Sequence, residues 1–432
     1  AQMGGVVAVD EAGAALQDAM IWLDTRSAGQ ARRLVAGWPR LHGYGVFALL
    51  SWLRLTNGAP NLSGKDPLSK MLWLRDERAA LWARARRLPD VKEYLLHRAT
   101  DEWATTPDCA HLTWLMDARP GRWEWSEALL RRAGLDRARL SEIRPAAEFV
   151  GGLRPEAADD LGLRAGTPMV AGAGDVLASA LGAGVRATEA LYLYLGTSSW
   201  WGAHRDRPKV DVARGIGTLA AAERDRYLLV ATQESAGAAV AWAANALGFG
   251  GNLAAFDAAA REAGSGPDSP LFLPWLQGER VPVDDPDLRG GFIGLALSSG
   301  RGELARAVLE GVALNARWAL EAMEKSLRAA PSTARIVGGG AVSDIWCRII
   351  ADVTGLALVR TAEPDLAGAR GVAMLAAVAL GWRSDLAAAG AMTREAERYQ
   401  PDPSQAARHD ARYRRFLEAA RSGRRWRGPG AS

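Results

Sequence analysis

The chain has 432 residues, 49% hydrophobic and 24% charged, the make-up of a globular protein that buries a large core, and its length favours two domains. A formal charge of +4, from 53 basic against 49 acidic residues, is too mild for a nucleic-acid groove; much of the excess sits in the tail at Arg421, Arg424, Arg425 and Arg427, which reads as a solvated arm. Two cysteines, Cys109 and Cys347, exclude a disulfide framework or a CxxC site and fit a reducing cytoplasm, while the five histidines show no metal-ligand spacing and no apolar run reaches the eighteen residues of a membrane span.

Val6–Val9 and Ala19–Trp22 read as two short strands joined by a turn at Glu11-Ala12-Gly13. Ser27 is placed to cap a helix carrying Arg32 and Arg33, and Leu68–Arg86 and Trp125–Ala133 have helical spacing. From Pro168 the character changes: Met169-Val170-Ala171 reads as a buried strand, followed by a glycine turn and a helix over Val176–Leu181. Strands at Leu191–Leu195 and Tyr227–Ala231 precede a helix over Ala236–Leu247. Leu304, Val308, Val312, Ala316, Leu320 and Met323 then line one face of a long helix. Ile336-Val337 and Leu356–Val359 alternate with helices at Asp344–Val353 and Ala369–Leu380, which predicts α/β layers. The change near Gly184 marks the expected boundary between a first lobe, 1–184, and a second, 185–420, with 421–432 the basic tail; Gly264–Pro270 reads as a surface loop.

Three glycine turns follow strand-like runs: Gly172-Ala173-Gly174-Asp175, Gly196-Thr197-Ser198 and Gly338-Gly339-Gly340. Glycine lets backbone amides approach an anion closely, and a following helix adds its positive end, although strand-to-helix turns use glycine in any case. No P-loop is present, since Gly58 to Lys65 has five residues between its glycines instead of four and Asp66 stands where Ser or Thr is needed. A dinucleotide fingerprint is missing as well. Asp175 closes a strand within a glycine turn, where a partly desolvated carboxylate suits a general base, or where it simply caps the next helix; the residue types leave both open. Trp22-Leu23-Asp24-Thr25-Arg26 sets an acid and a base two apart, to hold sugar hydroxyls or to pair with each other. The 17 tryptophans suit stacking on sugar faces, most of them as core.

In this order the pieces resemble the FGGY carbohydrate kinases, on the xylulokinase side, over essentially the whole chain. Gln2-Met3 and Trp22–Arg26 are similar to the family's sugar-side motifs, and Lys70–Glu77, three residues after Pro67, to its first signature. Gly290–Leu295, a seven-residue spacer and Glu303–Glu310 fit the second signature, and Phe272–Arg280, Gly196–Ser198 and Gly338–Ala341 with Ser343 and Trp346 complete the likeness.

The resemblance implies an α/β, two-lobed, actin-like (ribonuclease H-like) architecture with a cleft between the lobes, sugar on the first lobe and ATP mainly on the second. It makes Asp175 the general base for phosphorylation of a sugar hydroxyl, with Mg²⁺ and backbone amides offsetting phosphoryl charge. Gln2, Met3, Gly4, Trp22, Asp24 and Arg26 would face the sugar. Gly196, Thr197 and Ser198 would lie on the nucleotide, the first two at its phosphates, and Gly338, Gly339, Gly340 and Ala341 at the nucleoside. No protein-held metal is expected, and the likeness leaves room for a homodimer. The family normally opens with a strand and an Asp-x-Gly-Thr turn, and this chain is expected to start after it, its first lobe truncated. Where xylulokinases carry His and Asn, this chain has Gly4 and Val176. The reading is therefore an ATP-dependent kinase of a ketopentose such as xylulose, with glycerol, gluconate or another polyol as alternatives, or a catalytically silent actin-like binding protein.

Overall fold

The computed structural model describes residues 1–185, 188, 190–328 and 330–423. Its framework is a seven-stranded mixed sheet in the order Gly217–Ala220, Tyr227–Gln233, Ser199–Arg205, Leu191–Leu195, Thr333–Val337, Ala357–Thr361, Glu395–Tyr399. The strands Leu191–Leu195, Thr333–Val337 and Ala357–Thr361 run parallel; the others pair antiparallel.

Both faces of the sheet are covered, and side-chain alternation shows how. Leu191, Leu193 and Leu195 enter a core with Val308, Val312 and Leu320 of the 24-residue helix Arg301–Glu324. Tyr192 points the other way, into a second core with Leu177 and Leu181 of the helix Asp175–Gly182 and Met374 and Leu375 of the helix Ala367–Ala379. Those two helices touch backbone to backbone: a Cβ on Gly371 would lie 1.9 Å from the Ala178 carbonyl oxygen, and one on Gly182 1.7 Å from that of Ala367. Only glycine permits this approach.

The N-terminal half has its own core, with Val6, Ala8, Met20, Trp52, Leu68, Met71 and Leu74, but only two-stranded ladders among its described residues. Val6–Val9 and Ala19–Trp22 meet through isolated bridges, Val6 with Met20 and Val9 with Ala15 and Arg87, and not as the two strands expected. The stretch Leu68–Arg86 is two helices, Pro67–Glu77 and Ala79–Arg84, broken at Arg78, and Trp125 lies in a strand before the helix Glu127–Ala133. Ser27 does not cap its helix; its Oγ donates 2.7 Å to the Gly64 carbonyl instead, because the residue lacks the extended backbone that aims a cap inward. Pro168–Val170 is a half-exposed strand, not a buried one, paired only with Phe149–Gly152.

The strand Ser199–Arg205 lies where no element was expected, so Gly196–Ser198 is a hairpin turn and no helix follows it. Gly264–Pro270 is the loop expected, and its carbonyls dock Arg412 and Arg415 of the helix Ala406–Gly423. Arg421 lies in the last turn of that helix, while Arg424, Arg425 and Arg427 lie outside the described residues. Among the described residues no helix is long and apolar enough to cross a membrane.

Candidate active site

Asp175 is the first residue of the helix Asp175–Gly182, following Gly174. Solvent reaches its side chain, yet crowding by surrounding protein pushes its pKa above the ordinary 3.8, while a hydrogen bond from the Val176 N–H (3.0 Å) opposes that rise. The segment Gln2-Met3-Gly4 runs directly beside Asp175. The Asp175 N–H donates 2.9 Å to the Ala1 carbonyl, and Met3 fills the space a Cβ on Gly174 would need, its Cγ at 2.1 Å.

Buried carboxylates hold these backbones in place. Asp108 accepts from the Gly174 N–H (2.8 Å) and from Thr106 Oγ1 (2.6 Å). Asp90 accepts from the N–H groups of Gly4 (3.1 Å) and Gly5 (3.0 Å), and burial lifts its pKa to about 6 against those bonds. Lys70, fully buried, donates to the carbonyls of Gly4 (2.6 Å) and Lys65 (2.5 Å), and burial lowers its pKa to about 8. Gly4 has φ +81°, with Trp22 Cβ 3.6 Å from where its own Cβ would be. A side chain here would have to adopt the left-handed backbone that glycine takes most readily, so this loop conformation favours glycine.

Trp22 is half-buried beside Gly4. Asp24 and Arg26 pair with each other, Arg26 Nε to Asp24 Oδ1 at 2.9 Å, and the guanidinium lies over Trp73, 5.2 Å from the ring centroid.

The two remaining glycine turns come together because their strands are parallel neighbours, with Tyr194 opposite Val337. Both turns leave the carboxyl ends of these strands, the place where open α/β sheets form ligand crevices. A Cβ on Gly338 (φ +97°) would stand 2.6 Å from the Leu195 carbonyl, and one on Gly340 2.7 Å from Leu195 Cγ. Thr197 and Gly339 are exposed, whereas Ala341 is buried, so Ala341 contributes packing or backbone only. The start of the helix Gly237–Ala246 braces the hairpin turn: the Gly237 N–H donates 2.8 Å to the Gly196 carbonyl and the Ala238 N–H 3.0 Å to that of Thr197.

Two tyrosines connect Asp175 to this crevice. Tyr192 Oη donates to the Val176 carbonyl (3.2 Å) and accepts from Trp200 Nε1 (3.0 Å). The Tyr194 ring stacks on Trp200 at 4.0 Å and lies against Gly196; burial and then the Asp175 charge raise its pKa. Neither tyrosine was singled out in the sequence, where alternate positions in an apolar strand read as core. Asp90 and Asp108 gave no signal either; their role depends on loops 80 or more and 66 residues away.

The N-terminal domain of the FGGY family of carbohydrate kinases matches residues 1–182, and the C-terminal domain of that family matches residues 191–380. The chain belongs to the FGGY carbohydrate kinases. The xylulose kinase of Escherichia coli (strain K12) is 31% identical over 379 residues, covering 88% of this chain and 74% of that protein. The gluconokinase of Bacillus subtilis (strain 168) is 28% identical over 362 residues, 81% of this chain and 68% of that protein. Among solved structures, a xyloylose kinase from Brucella ovis superposes with a TM-score of 0.83 at 27% identity, covering 98% of this chain and 83% of that one. This FGGY protein is thus a sugar kinase that uses ATP, built on the two-lobed actin-like fold, its lobes corresponding to the two family domains.

Proposed function

We propose that the protein transfers the γ-phosphoryl group of Mg-ATP to a hydroxyl of a ketopentose such as xylulose, with Asp175 as general base. The observation that carries this reading is the position of Asp175: solvent-accessible, with a raised pKa, at the meeting point of the Met3-Gly4 segment and, through Tyr194, the Gly196 turn. A base whose pKa lies closer to the working pH takes the proton of an attacking hydroxyl more effectively than an ordinary surface carboxylate.

In this scheme the sugar lies against Met3, Gly4 and Trp22, with Gln2, Asp24 and Arg26 at its edge. Asp175 accepts the hydroxyl proton as the oxygen attacks phosphorus in line. The turn at Gly196 and Thr197 lies at the phosphates with Ser198 beside it, and the turn Gly338–Gly340, open to solvent at Gly339 and with Ala341 beneath it, faces the nucleoside; Mg²⁺ enters as part of the nucleotide substrate. The apolar Val176 and the side-chain-free Gly4 remove two polar partners from the sugar wall, which favours a substrate with fewer hydroxyl contacts on that side. Relatives named as xylulose kinase and as gluconokinase stand at similar identity, so the test is a panel.

ADP release from Mg-ATP is measured with ketoses, polyols and sugar acids. A ketopentose is expected to give the highest kcat/KM, and Asp175→Asn to lower kcat about 100-fold or more while ATP still binds. A variant that keeps its kcat would remove Asp175 from the chemistry; preference for a sugar acid would overturn the substrate.

A further inference from the structure

An ion-paired cluster crosses from the first lobe to the second beside Trp22. Lys65 Nζ lies 2.6 Å from Glu234 Oε1 and Arg280 Nε 2.5 Å from Glu234 Oε2, and the Glu234 side chain is only 3% exposed. Both cations also reach the Trp22 ring, Lys65 Nζ at 5.9 Å and Arg280 Cζ at 5.2 Å from its centroid, within the range of cation–π attraction. Lys65 and Trp22 belong to the first lobe, Glu234 and Arg280 to the second.

Each half is held ready for the other. Glu279, buried in the second lobe, accepts from the N–H groups of Glu234 (2.7 Å) and Arg280 (2.8 Å) and from Asn315 Nδ2 (2.5 Å), and Trp275 Nε1 holds Asn315 at 3.1 Å. In the first lobe Lys70 grips the carbonyls of Lys65 and Gly4 together. The space left between Asn61, Ser63, Lys65, Glu234, Gln277 and Arg280 is about 20 Å³, room for one water and no sugar, so the cluster is a contact and not a binding cavity.

The division of partners makes the contact reversible. If the lobes part, Glu234 keeps Arg280, its neighbour in the same lobe, and Lys65 returns to water. No buried charge is left unpaired, which is the outcome that makes breaking an interior ion pair expensive.

We infer that Lys65, Glu234 and Arg280 form a clasp that closes the two lobes over Trp22 and so positions the sugar hydroxyl against the nucleotide. They are positioning residues, acting through Trp22 and lobe closure without touching the reacting atoms. The catalytic part of the inference rests on the reading of Trp22 as a wall of the sugar site.

The test is a double-mutant cycle on the full chain with Lys65→Met and Glu234→Gln, plus Lys65→Arg, which restores the charge. Small-angle scattering in Mg-ATP reads the clasp whether or not a sugar is turned over. Each neutral variant is expected to show a larger radius of gyration than wild type with an unchanged circular dichroism spectrum, and the double variant no larger than the singles. With the sugar the wild type phosphorylates, each single is expected to lose about tenfold in kcat, the ATP KM staying within about twofold, the double losing no more and Lys65→Arg recovering most of it. Unchanged dimensions in both single variants, or kcat losses that multiply in the double, would overturn the clasp. Expanded variants whose kcat matches wild type would leave the clasp as a lobe contact and overturn its positioning role and the Trp22 reading with it.

Discussion

Replacing His111 by Asn is expected to destabilise the protein by an amount that shrinks as the pH falls. The ring is fully buried between the lobes: its Nδ1 accepts from the Ala220 N–H (2.9 Å), which leaves Nε2–H to donate to the Thr56 carbonyl (2.5 Å). This is the neutral tautomer, and burial lowers the pKa from 6.5 to about 4 in spite of the Thr56 bond and Asp108. An unfolded chain therefore takes up a proton below pH 6.5 that the folded chain refuses until about pH 4. The contribution of His111 is complete above the unfolded pKa and drains away as the pH drops towards the folded one, at up to about 1.4 kcal/mol per pH unit. Between pH 7.5 and 5.0 the wild type loses about 2 kcal/mol through this residue.

Buried carboxyls such as Asp90 and Glu279, raised to about 6 and about 7, act with the opposite sign over the same range, so the wild-type curve alone does not isolate the histidine. The difference between wild type and His111→Asn does, because those carboxyls are common to both. Urea unfolding at the two pH values is the assay. At pH 7.5 the variant should be less stable by about 1–3 kcal/mol, the cost of an unmet buried polar group. By pH 5.0 about 2 kcal/mol of that gap should have closed. A gap that stays constant would show that folding leaves the His111 pKa unchanged, and a gap that widens as the pH falls would show that folding raises it; either result would refute the reasoning.

Two more substitutions probe packing. Glu310, 1% exposed, is held by Arg306 (2.8 Å) and Arg412 (2.9 Å), which outweigh burial and keep its pKa low; Glu310→Gln leaves both cations facing a neutral partner and should cost about 3 kcal/mol, read by chemical denaturation. Gly371→Ala puts a methyl 1.9 Å from the Ala178 carbonyl, so the helix bearing Asp175 must move; a loss of about 1–3 kcal/mol by denaturation should come with a fall in kcat, and a fully active variant would show that the helix has freedom to shift.

The sequence alone determined the family, the α/β class and most second-lobe elements, since Leu191–Leu195, the long helix Arg301–Glu324 and the run from Thr333 to Ala379 carry their periodicity within a few neighbouring residues. It also named Asp175 and the glycine turns, because glycine at a strand end is a local backbone demand. Local signals failed where tertiary partners decide the outcome. Ser27 gave up its helix for Gly64, Ser199–Arg205 became a strand because two neighbours pair with it, and Val6–Val9 formed bridges only.

The electrostatic frame of the site was beyond any local pattern. Lys65 and Glu234 lie 169 residues apart and Gly4 and Asp90 86 apart, and their spacing records nothing of the contact. Burial then does what sequence has no means to express, raising Asp90 and Glu279 and lowering Lys70, since a charge is disfavoured by removal from water that only the folded chain brings about.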